Sequence, residues 1–465
     1  MRNSLIRIVF LVCLGQSAFA GDLHYPVASI PAELMKKANV VKRDEVVWVQ
    51  IMGLDEAVYY KKTVLTILNE YGDKYASMVV GYDKLRKITA FEGALYDAWG
   101  NVLKRTKNKD ITDYSNIDDG TLFADSRMKA FDFNYHTYPY TVEFVVEVKL
   151  NTIYSLPGWM PSAYSGLSVE QSEFNVEAPQ DYNIRYKTVN FSTAPEIIMQ
   201  KNRRILSWKL KNLPVVERPF AAPFLSELVP MVLVAPSEFK MEGYKGDATN
   251  WKDFGRFPLE LNKDRDKLPD EIVQKVKQLT AGVNDEKEKV RILYGFLQKN
   301  TRYISVQLGI GGLQPFEASY VAQKGYGDCK ALSNYMYSLL KAAGIKSCYT
   351  IVNGGYDPED RRIVDDFPSN QFNHVILMVP FQKDTMWLEC TSQTDAPGYM
   401  GSFTGNRKAL AITDDGGQVV NTPTYGIREN RQIRNITGTI DASGSLDMKV
   451  STTYTGMRQD VLQYY

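Results

Sequence analysis

The sequence predicts an α+β protein with several domains: an N-terminal antiparallel β-sandwich, then an α+β core, then the start of a small β unit. The chain has 465 residues, which exceeds what a single hydrophobic core usually accommodates. Its first half alternates apolar and polar residues with the period of strands, and helical periodicity follows. The last part returns to a strand pattern. Three parts of different secondary structure therefore follow one another along the chain.

The first twenty residues have the pattern of a cleaved export signal. Arg2 and Arg7 flank the start of an apolar stretch that runs to Leu14, and Ala18–Ala20 supplies the small residues of a cleavage site. The apolar stretch is too short to span a bilayer. We therefore predict export, cleavage before Gly21 and a periplasmic or extracellular location, with membrane anchoring as the alternative. No later segment is apolar enough to predict a membrane span.

The charge balance of the mature chain narrows the classes of partner. The full chain has 55 basic and 54 acidic residues, and residues 1–20 contain two arginines and no acid, so the mature balance is 53 − 54 = −1. This balance does not favour nucleic acid or an anionic surface as a partner.

Three cysteines, Cys329, Cys348 and Cys390, remain after removal of residues 1–20, an odd number, so at least one is predicted to be unpaired within the chain. Cys348 and Cys390 either pair or are small buried hydrophobic residues.

Residues 21–218 are predicted to form the β-sandwich domain. Apolar residues alternate with glutamates along one predicted strand, at Val142, Glu143, Phe144, Val146, Glu147 and Val148. The segment Asp97–Asn101 has the composition of a turn between strands. Residues 219–267 follow as a predicted linker, because prolines interrupt the beginning of this segment.

Residues 268–420 are predicted to form the α+β core and residues 421–465 the C-terminal β unit. The core opens with two amphipathic helical patterns, at 269–279 and 285–299. The C-terminal unit has only about two strands. Because an isolated two-stranded unit is marginally stable, we expect it to continue beyond Tyr465, with packing on a neighbour as the alternative.

A cysteine at a helix start is the first sign of chemistry. After Cys329 the apolar residues recur with a helical period, at Ala331, Leu332, Tyr335, Met336, Leu339 and Leu340. Cys329 is therefore predicted in the first turn, where free backbone N–H groups and the helix dipole favour a thiolate. Gly325 and Gly327 suit a tight turn before it. The alternative is a small buried cysteine that begins a core helix.

A histidine and a glutamate are predicted to meet across a hairpin. The segments 347–352, 372–379 and 386–391 have strand patterns, and 380–385 connects the last two. Counting outward from the connection makes His374 and Glu389 near cross-strand neighbours on one face, although a slip of one residue would separate them. Glu389 would then orient His374, and His374 would activate Cys329. The alternative is a histidine buried in the core.

These segments, GYGDCK at Gly325–Lys330, FNHV at Phe372–Val375 and WLECT at Trp387–Thr391, resemble the transglutaminase-like superfamily of papain-like cysteine hydrolases and acyltransferases. The resemblance is to the bacterial arrangement, in which an N-terminal β domain of unknown function precedes the core. It implies that Cys329 is the nucleophile, His374 the general base and Glu389 the third member, where the superfamily usually has aspartate. It implies no cofactor and no metal. A metal site made of the same three residues lacks the usual short ligand spacing.

The function expected from this resemblance is cleavage or transfer at peptide or glutamine amide bonds through a thioester, with a peptide or protein as substrate. Whether water or an amine resolves the thioester is left open, as is the oligomeric state. Gln323 and Tyr303 are predicted to donate to an oxyanion together with the backbone N–H of Cys329, or else to have surface or packing roles. The competing hypothesis is a catalytically silent scaffold that binds peptides or envelope components.

Overall fold

The computed structural model describes residues 24–116, 121–357 and 363–464, so the predicted export signal at 1–20 lies outside the described residues. A strand-rich N-terminal domain is followed by an α+β core, which confirms the predicted fold class. None of the described helices has the length and apolar character needed to cross a membrane.

The N-terminal domain begins with a short helix, α1 (Ala32–Met35), and then consists of strands. These strands are β1 (Val40–Gly53), β2 (Glu56–Ile67), β3 (Ser77–Tyr82), β4 (Arg86–Tyr96), β5 (Val102–Arg105), β6 (Thr112–Ser115), β7 (Thr121–Ala124), β8 (Arg127–Asp132), β9 (Tyr140–Leu150), β10 (Leu167–Pro179), β11 (Ile184–Val189), β12 (Glu196–Gln200) and β13 (Arg203–Leu213).

Two sheets make up most of this domain. The larger has eight strands in the order β12-β13-β10-β1-β2-β9-β4-β5, and the smaller has the order β3-β8-β6. Met78 of β3 and Phe131 of β8 belong to the same hydrophobic core as Phe144 and Val146 of β9, so the small sheet packs on the large one. Along β9 the even-numbered residues are buried, as the alternation in the sequence predicts.

One strand pair departs from the antiparallel expectation, because β1 and β10 run parallel. The connection at residues 151–166 carries the chain from β9 back along the sheet to β10, which lies on the other side of β1. Parallel neighbours require a crossover of this kind. Alternation of apolar residues indicates which face of the sheet a residue occupies but not the direction of its strand. The sequence pattern therefore does not distinguish parallel from antiparallel neighbours.

The segment predicted as a linker, 219–267, contains regular structure. It holds β14 (Met231–Pro236), β15 (Glu238–Met241), β16 (Tyr244–Asp247) and helix α2 (Trp251–Asn262). β14 pairs with β11 of the N-terminal domain, and α2 packs on two strands of the core that follow below. Pro219, Pro223 and Pro230 all precede β14, so the prolines mark only the entry to this region.

The core contains five helices and eight strands among the described residues. The helices are α3 (Asp270–Thr280), α4 (Glu286–Asn300), α5 (Ala318–Lys324), α6 (Cys329–Ala342) and α7 (Gly401–Thr404). The strands are β17 (Arg302–Tyr303), β18 (Ser305–Gln307), β19 (Tyr326–Gly327), β20 (Cys348–Val352), β21 (His374–Pro380), β22 (Thr385–Leu388), β23 (Lys408–Thr413) and β24 (Gly416–Asn421).

The core sheet has the order β22-β21-β20-β23-β24, with all neighbours antiparallel. Helices α3 to α6 pack against it through a shared apolar cluster, in which Leu332 and Met336 of α6 meet Leu377 of β21 and Leu388 of β22. Helix α2 packs on β23 and β24. The central helix α6 is therefore held against the strands that carry the predicted histidine and glutamate.

The C-terminal unit is a hairpin of β25 (Gln432–Ile440) and β26 (Leu446–Tyr454), in agreement with the two strands predicted for it. Among the described residues it has no third strand. The segment Gly456–Tyr464 returns to the core, where the Asp460 carboxylate accepts hydrogen bonds from Tyr399 and from the Ser402 hydroxyl. The unit thus packs on its neighbour through this segment.

Candidate active site

Cys329 is the first residue of α6, as the periodicity predicts. The Asp328 side chain caps the helix by accepting a hydrogen bond from the Ala331 N–H at 3.0 Å. Asp328 also forms a buried ion pair with Lys330. Cys329 is buried, with 6% of its surface exposed. The cap and the ion pair therefore hold the helix start, and with it the sulfur, in one position.

The two glycines before Cys329 have separate structural roles. Gly325 ends α5 with a φ of 69°, a left-handed conformation that favours glycine. Gly327 approaches α6 closely, because a Cβ at this position would lie 2.7 Å from the Ala331 Cβ. The short strand β19 between them pairs with β17, with Tyr303 opposite Gly327. This pairing fixes the path by which the chain enters α6.

His374 begins β21 and lies opposite Val352 of β20. The preceding Asn373 side chain fixes this end of the strand, since it accepts a hydrogen bond from the Gly354 N–H at 2.6 Å and donates to the Gly354 carbonyl at 2.9 Å. The Phe403 ring packs edge-on against the imidazole, with ring centroids 5.0 Å apart. These contacts restrict the orientation of His374.

Glu389 follows directly after β22 and contacts the histidine. His374 Nε2 donates to both carboxylate oxygens of Glu389, at 3.0 and 3.1 Å. The hydroxyl of Thr391 and, at 3.3 Å, that of Thr404 donate to the same carboxylate. Both His374 and Glu389 are buried, at 9% and 6% exposure. Because Glu389 occupies Nε2, Nδ1 is the ring nitrogen left for Cys329, whose side chain lies close enough to His374 to raise the pKa of the imidazole.

The electrostatics of this cluster favour a charged imidazole. Burial disfavours the cation, but the Glu389 charge and the hydrogen bonds to Cys329 and Glu389 outweigh it and raise the pKa of His374 to about 10. Burial also disfavours the Glu389 anion, but His374 and the Thr391 hydroxyl hold the pKa of that carboxyl below its usual value. The arrangement places a cationic imidazole between the Glu389 carboxylate and the Cys329 sulfur.

The strand register accounts for the contact between His374 and Glu389. Leu377 pairs with Leu388 and Pro380 with Thr385, so Glu389 would lie opposite Ile376, two residues from His374. Residues two apart on a strand share a face, and a diagonal pair across strands is within reach of long side chains. The extra methylene of glutamate, compared with aspartate, adds to this reach.

The two residues predicted to donate to an oxyanion lie in exposed positions. Gln323 is exposed near the end of α5. Tyr303 is 40% exposed on β17, next to Gly327 and thus near the chain that enters α6.

Four further residues surround the cluster and were missed by the sequence analysis: Thr391, Thr404, Phe403 and Tyr349. Tyr349, on β20, has a buried hydroxyl with no hydrogen-bond partner among the described residues. Burial raises the pKa of Tyr349 well above its usual value, and the charges of Cys329 and Asp328 act in the same direction, so the phenol lies near the helix start. Only Thr391, two residues after Glu389, had a local signal that could have revealed it.

The other two cysteines form no disulfide with any residue that the structure describes. Cys390 is buried in the apolar cluster beneath α6, and burial raises the pKa of its thiol. Cys348 is half-buried at the start of β20. Both therefore lie where small hydrophobic residues do, as one of the two alternatives predicts.

Fold and site together define a class: an α+β core in which a cysteine at a helix start faces a histidine and a glutamate on an antiparallel sheet. Residues 273–392 match the family model described as the transglutaminase-like superfamily. Residues 55–217 match DUF3857, a domain of unknown function. The chain therefore carries a transglutaminase-like core preceded by a DUF3857 domain, which confirms the resemblance seen in the sequence. No curated protein matches the chain.

One solved structure shares this architecture. The crystal structure of a protein from Parabacteroides distasonis ATCC 8503, described as a "putative protease", has 13% identity and a TM-score of 0.61. That comparison covers 88% of this chain and 78% of the other, and it supports the fold alone. A structure from Cytophaga hutchinsonii, described as a "putative cysteine protease", has 8% identity and a TM-score of 0.22, with 86% of this chain and 91% of that chain covered.

Proposed function

We propose that this protein is an exported cysteine peptidase or amide acyltransferase that acts on peptide or glutamine side-chain amides through a thioester. The observation that carries the proposal is the buried contact of His374 with both the Glu389 carboxylate and the Cys329 side chain at the start of α6. The competing hypothesis remains a silent scaffold that binds peptides or envelope components with the same fold.

In the proposed reaction, the Cys329 sulfur attacks the amide carbonyl carbon while the backbone N–H groups at the start of α6 face the developing oxyanion. The protonated His374 then donates its proton to the leaving amine, and the carbon–nitrogen bond breaks. A water or an amine, deprotonated by His374, attacks the thioester and releases Cys329. Glu389 holds the imidazole in place throughout, because it remains bonded to Nε2.

The export part of the proposal is supported by the arrangement of residues 1–20: two arginines, an apolar stretch and a small-residue cleavage site. Expression of the full chain in a bacterial host, followed by N-terminal sequencing of the exported protein, tests it. We expect the mature chain to begin at Gly21, and retention of the uncleaved chain in the cytoplasm would contradict export.

The activity itself is tested by incubating the purified protein with a library of glutamine-containing peptides and analysing the products by mass spectrometry. Hydrolysis of a peptide bond would split peptides with the gain of water, hydrolysis of a glutamine side chain would exchange ammonia for water without splitting them, and transamidation to a peptide amine would join them with the loss of ammonia. All three activities should disappear in Cys329→Ser and persist in Cys348→Ser, which removes a half-buried thiol from the core sheet. Unmodified peptides, or equal products from Cys329→Ser, would favour the scaffold.

Alkylation tests the state of the thiol without a substrate. We expect iodoacetamide to label Cys329 rapidly at pH 6, because a cationic imidazole beside a sulfur favours the thiolate. An ordinary thiol, with a pKa of about 8.5, is ionised to only about 0.3% at that pH. The rates are measured for each cysteine separately by peptide mass spectrometry from pH 5 to 9. Cys348 is the internal control, since burial raises its pKa, and a Cys329 profile parallel to it would contradict the proposal.

Tyr349 is proposed as a further donor near the sulfur. Its hydroxyl has no partner among the described residues, and a buried hydroxyl without a hydrogen bond costs about 1–3 kcal/mol. Tyr349→Phe should therefore unfold at the same temperature or higher, while turnover on the peptides identified above falls by about tenfold. Thermal unfolding and product formation are the two measurements. Unchanged turnover would show that the hydroxyl takes no part in the reaction.

A further inference from the structure

A cavity of about 650 Å³ lies in the N-terminal domain, apart from the candidate active site. One face of the eight-stranded sheet forms its floor, and β3 of the small sheet forms a wall. Cavities of about 300–1,000 Å³ are the usual size for small organic ligands. The cavity is therefore large enough to hold a short peptide or an organic molecule of similar size.

The floor of the cavity combines an apolar surface with polar groups at its centre. Phe144, Val146 and Val148 of β9 point into it from alternate positions. On the neighbouring strand β2, Lys61 pairs with Val146 and Thr63 pairs with Phe144, so both side chains share this face. A ligand that lies on the floor would contact apolar side chains and these two polar groups together.

A buried charge cluster supports the polar end. The Glu45 carboxylate, 2% exposed, lies 2.8 Å from the Lys42 ammonium and 3.1 Å from that of Lys61, and it accepts a hydrogen bond from Ser172. Lys42 also donates to the Pro161 carbonyl at 2.6 Å. Two cations thus face one anion, which leaves a net positive charge at the floor of the cavity.

Lys61 carries the part of this charge that a ligand can reach. Its side chain is 37% exposed, against 6% for Lys42, and Glu45 is its ion-pair partner among the described residues. Burial opposes the charge on Lys61, but Glu45 outweighs it and raises the pKa of this ammonium. Burial lowers the pKa of Lys42 to about 8 despite Glu45. An ammonium has three N–H donors, so Lys61 retains donors for a ligand.

Thr63 adds a donor without a partner. Its hydroxyl is buried and has no hydrogen-bond partner among the described residues, although its side chain lines the cavity. Leaving such a group unpaired in the folded protein is costly. In the rotamer present the Oγ1 atom itself is buried, so a rotation about χ1 would bring it to the cavity, where a ligand oxygen would satisfy it. Because Thr63 lies on the same face as Lys61, two positions along β2, one carboxylate can reach both.

We propose that this cavity binds a ligand in which a single carboxylate is attached to an apolar body. The carboxylate lies between Lys61 and Thr63, and the apolar body lies on Phe144, Val146 and Val148. Two cations and one anion give the Lys42–Glu45–Lys61 cluster the net charge of a single cation, which matches a monoanion. This binding site is separate from the proposed chemistry of Cys329 and stands or falls independently of it.

Titration calorimetry on the full chain tests the proposal with three probes: N-acetylphenylalanine, its C-terminal amide, and a heptapeptide that ends in leucine and phenylalanine with a free carboxylate. We expect at least one acid to bind, and the amide to bind more than tenfold more weakly, because charged hydrogen bonds exceed neutral ones. Binding of the short acid alone identifies a free organic acid as the ligand. Binding of the heptapeptide alone identifies a peptide C-terminus.

Two variants locate the carboxylate. Lys61→Met should weaken binding by more than tenfold, and Thr63→Val, which replaces an unpaired hydroxyl by a methyl group, by about tenfold. Lys149→Met is the matched control, since Lys149 lies on β9 with an exposed side chain paired to Glu56. Thermal unfolding of each variant checks its folding. The proposal is overturned if no probe binds at 1 mM, if acid and amide bind equally, or if Thr63→Val binds as tightly as the unsubstituted protein.

Discussion

Replacing His374 by alanine is expected to slow alkylation of Cys329 at pH 6 by about 100-fold. The variant removes the cation beside the sulfur, so the thiol should revert to the behaviour of an ordinary cysteine. It also removes the proton donor for the leaving amine, so product formation should fall by about 100-fold or more. Peptide-resolved alkylation and product analysis measure the two effects.

His136→Ala is the matched control for this experiment. His136 is exposed on the N-terminal domain, where its ring pairs with Asp73 at 2.9 Å. Its replacement should leave the alkylation rate of Cys329 unchanged. If His374→Ala and His136→Ala gave the same rate at pH 6, the imidazole would not activate the sulfur, and the scaffold hypothesis would be preferred.

Glu389→Gln is expected to lower the free energy of unfolding by about 3 kcal/mol, because it removes the charge that balances a buried cation. Glutamine has nearly the same shape, so the loss reports the charge rather than a cavity. Chemical denaturation of the Cys329→Ser form, with and without Glu389→Gln, measures the difference while no thiol titrates at position 329. Glu33→Gln removes an exposed charge paired with Lys36 and should change stability by less than about 0.5 kcal/mol.

The loss of unfolding free energy in Glu389→Gln should depend on pH in a definite direction. The pKa of the Glu389 carboxyl is lower in the folded protein than in the unfolded chain, where it is about 4.3. Its contribution to the free energy of unfolding is therefore present above pH 4.3 and is lost as the pH falls through the folded pKa. The pKa of His374 is about 10 in the folded protein and about 6.5 in the unfolded chain. The contribution of His374 to the free energy of unfolding is therefore present below pH 6.5 and is lost as the pH rises towards 10. The difference between the two proteins should be largest near pH 5–6. A difference that grew towards pH 10 would contradict the assigned charges.

Local sequence patterns were sufficient to predict the parts of the site whose residues lie close together in the chain. The helical period after Cys329 placed this residue at the first position of α6, because one buried face of a helix repeats every three to four residues. The hairpin between β21 and β22 is short, so counting from its turn brought His374 and Glu389 to one face.

Contacts between distant segments could not be predicted in the same way. Thr404 reaches Glu389 from a helix beyond the strands, and Tyr349 lies near Cys329 because β20 pairs with β21 at the centre of the sheet. Likewise, within residues 219–267, β14 pairs with β11 of the N-terminal domain and α2 packs on β23 and β24 of the core. None of these contacts leaves a periodic signal, because the strand order of a sheet is decided by long-range packing.

Local sequence patterns alone predict a strand-rich domain followed by an α+β core, the position of Cys329 at a helix start, and the chemical types of residue at the site. These features follow from short-range periodicity and from side-chain chemistry, which every segment carries with it. Long-range packing, in contrast, makes β1 and β10 parallel, brings Thr404 and Phe403 around the His374–Glu389 pair, and forms a cavity with Lys61 and Thr63 in the N-terminal domain. Each of these depends on which strands become neighbours, and that choice is made by the burial of whole faces rather than by any one segment.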